Sequence, residues 1–367
     1  MSACARIPKR SQYIREISAT VHALTNDFPM ASPRILVIRP DRIGDVVLSV
    51  PVLEALRHQW PDAYLAMMVR PYTRDILVGN PWIDEIVLDD PDHAHRGPTG
   101  FLKQLKTLRA GGFDTALMLL PTMRMAWLLF LSGIPRRIGV GHKVYQTMTF
   151  TRSVSRNRYV PLRHETDYCL DLAKAIGAQT ETGQVAIFLS KEERSRAREV
   201  LNWSTEHPRI GLHPGHGQSA PNWTPERYGD LAHQLQVQYN AQIVVTGSGQ
   251  ETALVERMQA RTSVPMVSLA GKLSLRQLIA VISELDVLIS SSTGPMHLAG
   301  ALAVPTVSIF CPLPARSPQR WHPLGGHSTI LLPPDGECVT CDHGPLCDLS
   351  SISIDLVLKA VKNQLTN

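Results

Sequence analysis

The chain has little of what marks secreted, membrane-spanning or nucleic-acid-coating proteins. Its 367 residues hold six cysteines, too few to build a fold of this size on disulfides. No stretch reaches the roughly 18 to 20 consecutive apolar residues of a membrane span. Residues 1–33 are mixed polar and basic and lack the apolar core of a secretion signal, so a cytoplasmic protein is expected. A net charge of +5 falls short of the basic excess of a nucleic-acid binder. There is no P-loop, no GxGxxG, no short repeat and no low-complexity tract.

What is present is ordinary globular material, 44% hydrophobic with 27 prolines and 24 glycines, enough for two cores. The positive charge is uneven. Arg124, Arg136, Arg137, Lys143, Arg152, Arg156, Arg158 and Arg163 follow one another with no acidic residue between them. Such a run is either a solvated face or a patch facing an anionic partner, a phosphorylated substrate or a membrane surface.

Short aliphatic runs alternate with helical spacing from residue 34 onward. "RILVIRP", "AYLAMMV", "IDEIVLDD", "DTALMLLP" and "RRIGV" read as strands. "DVVLSVPVLEALRHQWP", "TRDILVGNP", "TGFLKQLKTLRAGGF" and "MRMAWLLFLSG" read as helices between them. After the charged helix "SKEERSRAREVLNW" the pattern restarts at "PRIGLHPG" and runs to "PTVSIFCP". Continuous apolar strands alternating with helices predict parallel sheets covered on both faces. The expected architecture is therefore α/β, with two doubly wound domains facing across a cleft. The boundaries fall at 1–33 for an extension, 34–185 and 186–350 for the domains, and 351–367 for a last helix. That helix either closes the second domain or crosses back to the first.

In open α/β sheets ligands bind beyond the carboxyl ends of the strands. This directs attention to loops 39–45, 213–223, 246–251 and 290–297. In "LISSSTGPMHLAGALA" a buried strand ends in a Ser/Thr/Gly turn and a helix starts near Pro295, leaving free N–H groups for an anion. Thr293 suits a cap, Gly294 a close approach, and His297 points to the same place. "TGSGQE" carries Glu251, placed to accept from ribose hydroxyls or to complement a helix dipole. "LHPGHG" is a third glycine loop. "DRIGD" sets Asp41 and Asp45 around Gly44. An aspartate at a helix start is commonly a cap; in a cleft it also suits general-base work.

The blocks "RIGDVVLSVPVLEALRHQWPDA", "HPGHG", "NWTPERY", "GSGQE" and "SSSTGPMHLAGALAVPTVSIFCP" resemble glycosyltransferase family 9, the heptosyltransferases of the lipopolysaccharide inner core, over roughly residues 34–366. The resemblance implies a GT-B fold, two Rossmann-like domains with the acceptor on the first and the sugar nucleotide on the second. It implies inverting, metal-independent transfer of a heptose from ADP-heptose, with no cofactor beyond that co-substrate. Asp45 then matches the catalytic base. Thr293, Gly294 and His297 match the diphosphate site, with Ser292 and Pro295 expected beside them as donor contacts, and Glu251 matches the ribose carboxylate. Gly271, Lys272 and Leu273 match the nucleobase stretch. Gly215, His216 and Asn222 are further expected donor contacts. Arg42, Gly44, Arg136 and Arg137 are expected on the acceptor side, facing a lipopolysaccharide-core or other anionic glycan at the inner-membrane face.

Two departures qualify the match. The family's Asp before Thr-Gly is Ser292 here, and the basic residue before its Trp-Pro pair is replaced by Pro221 and Asn222. Either another basic residue substitutes or the donor is a different nucleotide sugar. A third reading is a GT-B protein that binds a nucleotide sugar without turnover. Asp90 and Asp92 form an Asp-x-Asp pair but follow a first-domain strand, and read as a solvated strand end. Cys338, Cys341 and Cys347, with His343, have partial metal-ligand spacing, and an adventitious or structural thiol group is the commoner origin of such a set.

Overall fold

The computed structural model describes residues 32–141, 143–155, 162–179, 184–217, 220–334 and 349–366. The first sheet contains β1 (Arg34–Ile38), β2 (Tyr64–Val69), β3 (Glu85–Leu88), β4 (Thr115–Met118), β5 (Arg136–Val140) and β6 (Arg152–Val154). The second contains β7 (Arg209–His213), β8 (Gln242–Val245), β9 (Met266–Ser268), β10 (Val287–Ser291), β11 (Thr306–Ile309) and β12 (Ser328–Leu331). Their orders are β3-β2-β1-β4-β5-β6 and β12-β11-β10-β7-β8-β9. Counted from each half's own first strand, both read 3-2-1-4-5-6, and all pairings are parallel. Each sheet therefore has its switch point beside its first strand, and each places a ligand-binding crevice there.

The central strands are aliphatic on both faces because helices cover both: Leu36, Val37 and Ile38 of β1 are fully buried, as are Leu288 and Ile289 of β10 in the second sheet. The short edge strands β6 and β12 lack such a run and are only partly buried, which is why the sequence pattern does not reveal them. The helices Val144–Thr149 and Glu165–Lys174 were also absent from the sequence pattern.

Two expectations are corrected, and one open alternative is decided. The helix expected across residues 45–61 is two, Ile43–Val47 and Val50–Gln59. Pro51 is the cause: its ring would clash with the Val47 carbonyl of a continuous helix, and its missing N–H costs nothing in a new first turn. Asp45 thus sits on a single short turn of its own. The "TRDILVGNP" segment forms no α-helix; only a 3-10 turn, Pro71–Ile76, enters its first residues. The last helix, Ile354–Thr366, closes the second domain instead of crossing back. Val357, Leu358 and Val361 are buried with Ile210, Leu212 and Leu235, and Gln364 Nε2 donates to Thr329 Oγ1 at 2.8 Å.

The halves meet tightly. One apolar cluster runs from Ile35 and Leu53 through Ile187 to Ile279 and Leu298. Arg276 of the second domain donates to the carbonyls of Asp75 at 3.0 Å and Phe188 at 2.7 Å. Among the described residues no helix is long and apolar enough to cross a membrane.

Candidate active site

The first wall of the cleft begins where β1 ends. Arg39 is buried, and a buried guanidinium needs anionic partners. Its Nε donates to Asp41 Oδ1 at 2.8 Å, Nη2 to Asp45 Oδ1, and Nη1 to Glu165 Oε1 at 3.2 Å. Glu165, also buried, accepts from Arg320 of the second domain at 2.9 Å through its other oxygen. Two cations and three carboxylates thus share one pocket. Burial lifts the Asp41 carboxyl to about 7, against the pull of Arg39 and with the push of Asp45 and Glu165. A proton on Asp41 balances the cluster.

Asp45 lies in the first turn of its helix but does not cap it; Arg42 occupies the N-cap position, and no side chain bonds a free N–H there. The capping reading of Asp45 is therefore set aside. Its Oδ1 accepts from Arg39 Nη2, and its side chain borders the cavity described below.

The opposite wall is built by β10 and the helix Gly294–Ala301. Thr293 stands at the N-cap, yet its hydroxyl donates to the Ser291 carbonyl at 3.3 Å and caps nothing. The first-turn N–H groups are left to a ligand, with Pro295 in the turn where its missing donor is harmless. His297 is buried, and burial, with His164 and His322 nearby, pushes it down to about 3. It is neutral at physiological pH, so it offers a hydrogen bond instead of a positive charge. Its Nδ1 is buried with no hydrogen-bond partner among the described residues.

These two walls enclose one cavity of about 250 Å³. Arg42, Gly44 and Asp45 line it from the first domain, and Ser292, Thr293, Gly294 and His297 from the second. Ala220, just before Pro221 and Asn222 in sequence, lines it too. Arg316 and Trp321 also line the cavity, and neither was singled out from sequence. Nor were Arg39, Glu165 and Arg320. A glycine is required at 44: a Cβ there would lie 2.6 Å from His297 Cδ2.

Glu251, Gly215, His216, Gly271, Lys272 and Leu273 do not line this cavity; their loops meet one another. Glu251 accepts from the N–H groups of Ser248 at 2.8 Å and Gly217 at 3.3 Å. Burial opposes its charge, but these bonds and His213 prevail and hold it below the usual carboxylate range. Gly215 and His216 belong to the same β7 loop, and a Cβ on Gly215 would overlap the Glu251 carboxylate. Gly271, at φ +70°, lies against Gly249. Lys272 Nζ donates to the Ser268 carbonyl at 2.8 Å, and Leu273 packs partly into the core.

Several expected contacts are reassigned. Asn222 is a brace: its Nδ2 donates to the Pro214 carbonyl at 2.8 Å, and its Oδ1 accepts from Trp223 N–H at 2.8 Å and Tyr228 Oη at 2.9 Å. Arg136 and Arg137 begin β5, and a parallel strand puts its first residues at the edge away from the cleft. There Arg136 pairs with Asp114 at 3.8 Å and Arg137 Nε donates to the Thr149 carbonyl at 2.6 Å. Neither lines the cavity. Asp92 pairs with Arg70, and Asp90 accepts from Ala94 N–H at 3.4 Å. The extension up to residue 31, Arg156, Arg158, Cys338, Cys341, His343 and Cys347 lie outside the described residues.

Comparison with known proteins completes the picture. Residues 101–345 match the family model for glycosyltransferase family 9 (heptosyltransferase). Lipopolysaccharide heptosyltransferase 2 of Escherichia coli (strain K12) is 26% identical over 309 residues, covering 81% of this chain and 87% of that protein. The solved glycosyl transferase family 9 protein from Veillonella parvula DSM 2008 superposes with a TM-score of 0.79 at 22% identity, covering 91% and 97% of the two chains. The solved E. coli ADP-heptose heptosyltransferase II gives 0.75 at 22% identity, covering 91% and 98%. These likenesses carry the fold, which is GT-B.

Proposed function

The chain belongs to glycosyltransferase family 9, and on that footing we propose that it moves a heptose from ADP-heptose to a lipopolysaccharide inner-core or related anionic glycan. The reading rests on one observation: a single cavity has a carboxylate, Asp45, on one wall and a helix N-terminus with Thr293, Gly294 and His297 on the other. An inverting displacement needs those two elements opposed.

In the proposed step, Asp45 takes the proton of the acceptor hydroxyl as its oxygen bonds to the anomeric carbon. The bond from that carbon to the diphosphate oxygen breaks, and the diphosphate leaves with the electron pair. The Gly294–Ala301 helix N-terminus, a neutral His297 as hydrogen-bond donor, and Arg316 stabilise the departing charge without a metal ion. Arg316 and Arg42 supply cations where the family's basic residue is replaced by Pro221 and Asn222. Glu251 holds the ribose side of the site.

Ser292, in place of the family's aspartate, favours a second reading: the same inverting chemistry with another nucleotide sugar. A donor screen by mass spectrometry, with and without a lipopolysaccharide-core acceptor, separates the two. Turnover of ADP-heptose alone supports the first reading; turnover only with another donor supports the second. Binding of donors with no turnover on any core acceptor contradicts both.

A further inference from the structure

The helix Met123–Leu131, "MRMAWLLFL", is apolar almost all round. Met125, Ala126, Leu128 and Leu129 are buried on the first sheet. Its other side carries Met123, Trp127, Phe130 and Leu131, at spacing i, i+4, i+7 and i+8, and this stripe faces outward. Met123 is 60% exposed, Phe130 41% and Leu131 43%. The helix Val144–Thr149 packs beside it and adds Val144 at 79% and Met148 at 59%. A helix apolar on both sides is normally covered on both sides, and a contiguous exposed apolar patch marks a docking surface.

Charge identifies what covers it. Between Asp92 and Glu165 the only acidic residue is Asp114, against twelve lysines and arginines. Asp114 is engaged by the Arg34 N–H at 2.7 Å and by Arg136, at the sheet edge away from the cleft. Lys103, Lys106 and Arg109 are exposed on the helix Gly97–Ala110, which packs against Met123–Leu131. Arg109 also donates to the Leu131 carbonyl at 2.9 Å. Exposed Lys143 opens the Val144–Thr149 helix. An apolar stripe rimmed by basic side chains matches an anionic lipid surface. A second copy of the chain would bring the same positive charge against it.

We propose that this face docks on an anionic lipid bilayer. Met123 and Lys143 follow the carboxyl ends of β4 and β5, the same edge of the sheet at which Asp45 follows β1. The docked face therefore borders the cleft mouth. The proposal does not rest on the sugar-transfer reading, because lipid binding is read without turnover.

The test is co-sedimentation of the full chain with phosphatidylcholine vesicles, with and without phosphatidylglycerol. Binding is expected with the anionic vesicles, weakening with added salt as exposed charges are screened, and little with the neutral ones. The pairs Phe130→Ser with Val144→Ser, and Lys103→Glu with Lys106→Glu, are each expected to weaken it about tenfold while circular dichroism is unchanged. All four positions are exposed, so folding is preserved. Absence of binding, or equal binding to neutral vesicles, overturns the proposal. So does light scattering that shows a vesicle-free oligomer dissolved by the same substitutions, which would make the occupant a second copy.

Discussion

Gly44 and His297 touch across the cleft with no room between them: a β-carbon on Gly44 would stand 2.6 Å from His297 Cδ2. Gly294 makes the reciprocal contact, its own Cβ position 3.0 Å from Ile43 Cβ. Two glycines thus let the turn bearing Asp45 and the helix bearing the anion site approach closely enough to share one cavity.

Gly44→Ala is the smallest change that tests this closeness. His297 is buried and has nowhere to retreat, so the walls must part. Transfer efficiency, kcat/KM, is expected to fall tenfold or more, about 1.4 kcal/mol at the barrier. Circular dichroism should stay unchanged. Full activity would show that the contact is not needed in the reacting state.

Glu165 ties the domains by bridging Arg39 and Arg320. Removing one partner leaves buried charge uncompensated, which costs about 3 to 5 kcal/mol. Glu165→Ala should lower stability by that order in urea unfolding, and Glu165→Gln, which keeps the shape and one acceptor, by less. Loss of under about 1 kcal/mol in the alanine variant would remove the bridge from the account.

Asp41 makes stability depend on pH with a definite sign. Its folded value of about 7 lies above its ordinary 3.8. The folded state therefore holds the proton more tightly, and this contribution is full below about 4 and lost as pH rises through 7. Asp41→Asn removes the dependence. Its melting temperature relative to the wild type should rise from pH 5 to pH 8, by roughly 2 to 4 °C for about 1 to 2 kcal/mol. A difference that is flat or falls with pH contradicts the assignment.

Arg316 lines the cavity, and the proposed step gives it the part of the cation absent at Pro221 and Asn222. Arg316→Ala should weaken ADP binding about 10- to 100-fold, the loss of a charge-assisted hydrogen bond of about 1.5 to 3 kcal/mol. Adenosine, which lacks the diphosphate, should bind as before. Calorimetry with both ligands checks this, and equal losses for the two would place Arg316 elsewhere in the site.

The sheets and their crevices were legible because buried parallel strands write continuous aliphatic runs, and loops at their carboxyl ends follow from chain direction. Loops 39–45 and 290–297 were found that way, and they do line one cavity. The place of Arg136 and Arg137 at the far end of β5 was not legible, because a charge run in sequence does not tell which end of a strand carries it. The Arg39–Glu165–Arg320 bridge was invisible for another reason. Glu165 lies 126 residues from Arg39 and 155 from Arg320, and a lone arginine closing a strand reads as solvated. Pro51 is itself a readable signal, since it marks the break that gives Asp45 its own turn.

The central claim is that Asp45 removes the acceptor proton. Asp45→Asn keeps the size and an oxygen for Arg39 but cannot take that proton. With donor and acceptor in hand, transfer by this variant should fall by about 10² to 10⁴, while calorimetry shows the nucleotide sugar still bound. Transfer near the wild-type rate from a folded, donor-binding Asp45→Asn protein would contradict the account.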